Sequence, residues 1–244
     1  MIRLILGGTY MIVFFLISVF YWAVIGIVGH FNKEKADYMS LHTIQRVLKA
    51  LIFICGIKVT VVGEENVPKD RAVLYVGNHK SDFDTIITYA RCPRLTGYVA
   101  KNSLEKAPFL RVWMRKVHCL FLNREDTRQG LKTILAAIDN IKAGISMTIF
   151  PEGGRNKTDA PTIPFHEGSF KPATKTGCPI IPMAISNSEN IFETHRPFIR
   201  STHVVLQYGK PIIPDELEGD DRKFIGAYTQ KIIENMLVDN QKYL

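Results

Sequence analysis

Residues 72–84 read Ala72-Val73-Leu74-Tyr75-Val76-Gly77-Asn78-His79-Lys80-Ser81-Asp82-Phe83-Asp84, an apolar run that ends on glycine and opens into polar residues. A short stretch of β-branched and aromatic residues closed by a turn residue predicts a buried strand. A His leaving the end of a strand sits where a rigid scaffold presents function. His79 and Asp84 are five residues apart; on one regular helix, at about 100° per residue, they would face about 140° away from each other. The spacing therefore predicts His79 before a helix and Asp84 in its first turn. In that arrangement the carboxylate accepts the proton on one imidazole nitrogen, fixes the tautomer and leaves the other nitrogen as a general base. No nucleophile pattern such as G-x-S-x-G accompanies the pair, so a substrate hydroxyl is the expected nucleophile. Taken alone, the pair also suits an ordinary polar surface loop.

Outward from this stretch, short apolar runs alternate with helical patterns. Strands are predicted at Lys58 to Val62, Ala72 to Val76, Thr96 to Ala100, His118 to Leu122, Ser146 to Phe150, Pro179 to Ile185 and His203 to Gln207. Helices are predicted over Thr127 to Lys142, with Asp126 as N-cap and Gly144 just past the end, and over Asp221 to Val238. The fold class is α/β: a layered domain with a mostly parallel or mixed sheet flanked by helices. No internal repeat or low-complexity tract divides it.

Three further strand ends carry candidate chemistry. Phe150-Pro151-Glu152-Gly153-Gly154-Arg155 pairs glycines, which free backbone N–H groups to approach an oxyanion, with a forked cation suited to phosphate. Phe121-Leu122-Asn123-Arg124 offers a second cation, which reads either as a second phosphate ligand or as the solvated start of a loop with Glu125 and Asp126 nearby. Pro179-Ile180-Ile181-Pro182, preceded by Phe165 to Lys171, reads either as the lining of an acyl-chain groove or as a buried strand bounded by prolines.

The N-terminus is a different kind of object. Of 31 Lys and Arg and 23 Asp and Glu in 244 residues, the first 31 positions hold one, Arg3. Tyr10 to Val28 is apolar apart from Ser18 and Gly26, long enough for a hydrocarbon core, with Tyr21 and Trp22 as interfacial aromatics. It predicts a membrane helix, or a helical hairpin if Gly26 and Gly29 end one helix and an amphipathic one follows over Leu41 to Cys55, a stretch that reads equally as an ordinary core-facing helix. A signal peptide fits less well, since no A-x-A-like site follows. Lys33, Lys35, Arg46 and Lys49 after the apolar run place the remainder in the cytoplasm under the positive-inside rule. The scattered cysteines Cys55, Cys92, Cys119 and Cys178 read as reduced, buried small hydrophobes. Net charge +8 suits nucleic acid, anionic lipid or a phosphorylated substrate, and composition excludes a disordered or disulfide-framework chain.

Together, the four segments resemble the glycerolipid acyltransferase family, most closely its 1-acyl-sn-glycerol-3-phosphate (lysophosphatidic acid) acyltransferases. The family's His-x-x-x-x-Asp is matched by His79 and Asp84, and its Phe-Ile-Asp/Glu-Arg segment by Phe121, Leu122 and Arg124, with Asn123 for the acid. Its Phe-Pro-Glu-Gly-Thr-Arg-Ser is matched by Phe150 to Gly153 and Arg155, with Gly154 and Asn156 for Thr and Ser, and its Pro-bounded strand by Pro179 to Pro182. Val99-Ala100-Lys101 looks like the family's Ala-Lys. The resemblance spans residues 72–188 and implies an acyltransferase domain over 58–244 after a membrane-associating segment over 1–57. It implies His79 and Asp84 as catalytic residues, and Lys101, Arg124, Glu152, Gly153 and Arg155 as substrate-binding ones. The implied partners are an acyl-CoA or acyl carrier protein thioester as co-substrate, a lysophospholipid acceptor and the bilayer, with no cofactor, metal or nucleic acid. Acceptors within the family range from 1-acylglycerol-3-phosphate, giving phosphatidic acid, to glycerol 3-phosphate or other lysolipids. Against this stand a membrane-anchored binding protein, which explains the charge but not the four motifs, and a metal hydrolase built on His79, Asp82, Asp84 and Glu152.

Overall fold

The computed structural model describes residues 1–124 and 126–244. The chain opens with α1 (Ile2–Phe31) and α2 (Lys33–Ile54), joined through Asn32. Then follow β1 (Lys58–Val62), β2 (Leu74–Gly77), α3 (Asp82–Tyr89), β3 (Thr96–Lys101), α4 (Pro108–Lys116) and β4 (Leu120–Leu122). The remainder comprises α5 (Thr127–Lys142), β5 (Ser146–Ile149), α6 (Lys171–Thr176), β6 (Ile180–Ser186), β7 (His203–Tyr208), α7 (Gly219–Lys223) and α8 (Ile225–Asp239).

The seven strands form one sheet in the order β1-β7-β6-β2-β5-β3-β4. All neighbouring pairs are parallel except β6 with β7. Five strands, from β6 to β4, therefore run one way, and their C-terminal ends share one edge of the sheet. Period-2 alternation assigns the faces. Leu74, Val76, Met147 and Ile149 pack under α5, α6 and α8 with Ala137, Phe170 and Ile233. Val73, Tyr75, Ile181 and Leu206 pack on the other face with Phe83, Ile87 and Leu51.

Several element boundaries depart from the sequence reading, most by a residue or two, and three departures trace to particular residues. The first helix runs well beyond Tyr10 to Val28 and the second begins at Lys33, because the Asn32 side chain accepts the Lys35 N–H at 2.8 Å and starts a new helix at once. The strand expected from His118 starts at Leu120, since His118 turns the corner with φ +60°. The terminal helix is two helices, broken at Phe224 (φ −117°, ψ 50°). There the Glu167 carboxylate accepts the Gly226 N–H at 3.0 and 3.1 Å and the Ala227 N–H at 3.3 Å, capping α8 from another part of the chain.

The hairpin of α1 and α2 is docked on the domain by specific contacts. Trp113 of α4, 2% exposed, stacks on Phe14 with ring centroids 5.4 Å apart and donates from Nε1 to Ser18 Oγ at 2.7 Å. Gln45 donates to the Cys92 carbonyl at 2.7 Å, and His118 Nε2 lies 3.2 Å from Asp37 Oδ2. The opposite face of α1 presents Ile5, Ile12, Leu16, Phe20, Val24 and Ile27 outward, all exposed. By length and composition α1 is the one described helix able to cross a membrane. All four cysteines are buried free thiols.

Gly97 marks a close approach that no side chain fits: a Cβ there would sit 2.2 Å from the His118 carbonyl oxygen and 3.0 Å from Met147 Sδ. Gly97→Ala is expected to destabilise the fold by about 1–3 kcal/mol. Gly130→Ala, on α5 with its nearest neighbour at 3.7 Å, is expected to stabilise by about 0.5–1 kcal/mol. Denaturant midpoints of the two variants beside wild type check both signs.

Candidate active site

Five loops leave the shared sheet edge: after β2 to His79, after β3 from Lys101, after β4 to Arg124, after β5 to Glu152 and Arg155, and after β6 to Glu193. The register Leu74↔Met147, Tyr75↔Thr148, Val76↔Ile149 sets the loops after β2 and β5 side by side. Such an edge, at the carboxyl ends of parallel strands, is where open α/β sheets bind ligands.

The His loop is held before its chemistry begins. Asn78, 1% exposed, donates to the Ile185 carbonyl at 2.9 Å and accepts the Ile185 N–H at 2.8 Å, pinning the loop to β6. The His79 N–H donates to Glu152 Oε1 at 2.8 Å, while the His79 carbonyl accepts from the Asn156 N–H at 2.7 Å. Ser81 caps α3, and Asp84, at its third position, completes a capping box. Asp84 is fully buried, and its Oδ2 accepts from Lys80 N at 2.9 Å, Ser81 N at 2.8 Å and His79 Nδ1 at 2.9 Å. The carboxylate is an acceptor, so the imidazole proton belongs on Nδ1 and Nε2 carries the lone pair. Stacking on Phe150, at 4.4 Å and 17°, fixes the ring plane. The dyad is as the spacing predicts.

Of the five substrate-binding candidates, three line one cavity and two build a turn. Lys101, Arg124 and Arg155 line it together with His79. Glu152 is 4% exposed, and its Oε2 accepts the Ile163 N–H at 3.2 Å, so both oxygens are engaged by main chain. Burial pushes its carboxyl up to about 7, against the pull of the two N–H donors. Gly153 turns with φ +73° against the His166 ring. Gly154, where the family pattern has Thr, lets Arg124 approach: a Cβ would lie 3.2 Å from its Nη1. Burial lowers the pKa of that guanidinium, as for a cation drawn from water. Asn156, in place of Ser, braces the loop by accepting the Thr158 N–H at 2.9 Å and donating to the Ala160 carbonyl at 2.8 Å.

The cavity is about 730 Å³ and its lining is mixed. His79, Lys101, Arg124 and Arg155 supply polar groups. Apolar walls come from Phe14 and Phe15 of α1, Val47 and Leu48 of α2, and Leu110 and Met114 of α4. The sequence reading did not locate these walls, because they come from three helices distant in sequence. The Pro179–Pro182 segment is the buried strand of the two readings: Ile180 and Ile181 are fully buried in the sheet and lie outside the lining.

Glu193 also has no local signature, yet it joins two motifs. It accepts from Ser81 Oγ at 2.6 Å, Asp82 N at 3.0 Å and Arg155 Nη1 at 3.1 Å, and Arg155 Nη1 donates to Asp82 Oδ2 at 2.6 Å. The carboxylates of the metal-hydrolase alternative are thus engaged: Asp84 by His79, Glu152 by main chain and Asp82 by Arg155.

Comparison with known proteins agrees with this geometry. The family model "Acyltransferase" matches residues 58–186, more than half the chain. A 1-acyl-sn-glycerol-3-phosphate acyltransferase of Borreliella burgdorferi is 36% identical over 157 residues, 63% of this chain and 61% of that protein. One from Saccharomyces cerevisiae is 28% identical over 84% of this chain and 66% of its own length, so the match spans under two thirds of both relatives. One from Haemophilus influenzae is 28% identical over 88% and 89% of the two chains. The crystal structure of the 1-acyl-sn-glycerophosphate (LPA) acyltransferase PlsC from Thermotoga maritima superposes with a TM-score of 0.78 over 98% of this chain and 97% of that one, at 23% identity, and shares its fold. With the family model covering the motif-bearing sheet edge and the relatives agreeing in description, this chain belongs to the acyltransferase family that includes the 1-acyl-sn-glycerol-3-phosphate acyltransferases.

Proposed function

We propose that this chain transfers a fatty acyl group from an acyl thioester, carried by coenzyme A or acyl carrier protein, to the free hydroxyl of 1-acylglycerol-3-phosphate, forming phosphatidic acid. The observation that carries this reading is that His79, held by Asp84, lines one cavity together with the cations Lys101, Arg124 and Arg155 and with apolar side chains of α1, α2 and α4. The acyl chain lies along the apolar walls, and its thioester carbonyl lies beside His79. Arg124 and Arg155 hold the acceptor's phosphate, with Lys101 available to it or to the developing oxyanion.

His79 Nε2 removes the hydroxyl proton as that oxygen attacks the thioester carbonyl. The tetrahedral intermediate collapses by breaking the carbon–sulfur bond, and the imidazolium returns its proton to the departing thiolate. Asp84 stabilises the imidazolium throughout and stays ionised. Glu152 holds the His79 backbone rather than the substrate.

We further propose that the hairpin enters one leaflet and returns, with the catalytic domain on the cytoplasmic side. Arg3 at the start of α1 lies 3.0 Å from the Cβ position of Gly56 just after α2, so both hairpin ends are together. If α1 spanned, α2 would have to cross back carrying Lys33, Glu34, Lys35, Asp37, Arg46 and Lys49. The exposed face of α1 instead suits burial among acyl chains beside the domain.

With oleoyl-CoA and lysophosphatidic acid as substrates, His79→Ala is expected to lower kcat about 10²- to 10⁴-fold, and Asp84→Asn by a similar order. Free-thiol release and phosphatidic acid formation check this, and near wild-type turnover by His79→Ala would refute the base assignment.

Glu152 yields a pH-dependent expectation. Its carboxyl is raised from 4.5 to about 7 in the fold, so its contribution to stability is full below 4.5 and is lost as pH rises through 7. At 1.36 kcal/mol per unit the span is on the order of 3 kcal/mol. Glu152→Gln keeps one oxygen and turns an amide N–H toward one of the two backbone donors, costing about 1–3 kcal/mol and lowering kcat through His79. The stability gap between Glu152→Gln and wild type should narrow from pH 5 to pH 8; urea titrations at several pH values measure it.

A further inference from the structure

The charged lining of the cavity is uneven. Lys101, Arg124, Arg155 and Lys157 face it, and among the described acidic residues only Asp82 does. That carboxylate sits on Arg155 Nη1 at 2.6 Å, with its side chain 65% exposed. The second carboxylate on the same nitrogen, Glu193, is only 14% exposed and is also held by Ser81 Oγ and Asp82 N. Arg155 thus has one fixed partner behind it and one exposed partner on the cavity side.

We propose that Asp82 is an internal competitor for the acceptor: its carboxylate occupies the place on Arg155 that the acceptor's phosphate takes, and binding swings Asp82 out to solvent while Glu193 stays. This rests on the proposed reading of Arg155 as an acceptor-binding cation. Both existing bonds use Nη1, whereas a phosphate oxyanion can bond Nη1 and Nη2 together, so the exchange replaces a single contact with a forked one. A retained Asp82 would instead face the phosphate as a like charge, so departure is the arrangement that binding favours. The pairing keeps Arg155 extended toward the cavity when no acceptor is present, at the expense of acceptor affinity. Asp82 is in this sense a positioning residue acting through Arg155, and a determinant of how strong an anion the site admits.

The test is the KM for lysophosphatidic acid at saturating oleoyl-CoA, measured on the full chain in mixed micelles for wild type, Asp82→Asn, Asp82→Ser, Arg155→Ala and the Asp82→Asn/Arg155→Ala double variant. Removing the competitor should lower KM about 2- to 5-fold, the worth of a largely exposed ion pair, and by more than it changes kcat. Asp82→Ser, which keeps a small polar residue at the helix start, supplies the same reading if Asp82→Asn folds poorly. Arg155→Ala should raise KM, and on that background Asp82→Asn should move it no further. An unchanged or raised KM in both Asp82 variants, with Arg155→Ala still impaired, would overturn the competitor proposal alone. An equal fall with and without Arg155 would overturn it too, since Asp82 would then act through the general field of the cavity. An Arg155→Ala variant with wild-type KM would overturn the acceptor reading on which it rests.

Discussion

One carboxylate oxygen, Oδ2 of Asp84, gathers the His79 ring and the N–H groups of Lys80 and Ser81 within 2.9 Å at the start of α3. A buried carboxylate without donors would be costly, so this fully buried group is tolerable only because the helix start supplies them. The helix terminus needs the carboxylate as an N3 acceptor, and the imidazole needs it as an orienting partner. Structure and chemistry thus share one atom, and moving α3 by a fraction of its pitch would lose both. The remaining clamps, Asn78 on Ile185 and Glu152 on the His79 N–H, keep the strand end facing that helix start.

What was legible in the sequence follows from how locally each feature is encoded. The His79–Asp84 relation is a matter of five residues and one helix start, and Asp126 capping α5 is a matter of three, so both could be read directly. Three of the four strand-end segments, after β2, β4 and β5, could be read as motifs that the parallel sheet carries to one edge; Pro179–Pro182 instead opens β6 at the opposite edge. A boundary set by a distant group could not: the break at Phe224 lies where Glu167 caps α8. The late start of β4 is local, but the positive φ of His118 that sets it is not announced by its residue type. Glu193 was silent, like the break at Phe224, because its partners Ser81 and Arg155 are more than thirty residues away in either case.

The glycine-rich turn after β5 shows how the residues of one motif divide between a cavity wall and the loop that carries it. Paired glycines beside an Arg indicate an anion site, and Arg155 does face the cavity. Glu152 and Gly153 serve the turn that delivers it, the one through two backbone hydrogen bonds and the other through its positive φ. Spacing alone does not separate a residue that lines the cavity from one that shapes the loop beside it. Burial does: Glu152 is among the buried polar groups, while the cations remain at the cavity wall.

The wall formed by α1, α2 and α4 has a kinetic consequence under the proposed activity. Because the outward-facing hairpin is also the side of the cavity, a hydrocarbon tail entering from the leaflet exchanges one apolar surrounding for another and need not cross an aqueous gap. The catalyst and its lysolipid then meet by lateral diffusion in two dimensions. Encounter frequency is governed by the lipid's mole fraction in the sheet of membrane around the protein, and diluting that sheet with inert lipid slows turnover even when bulk concentration is held constant.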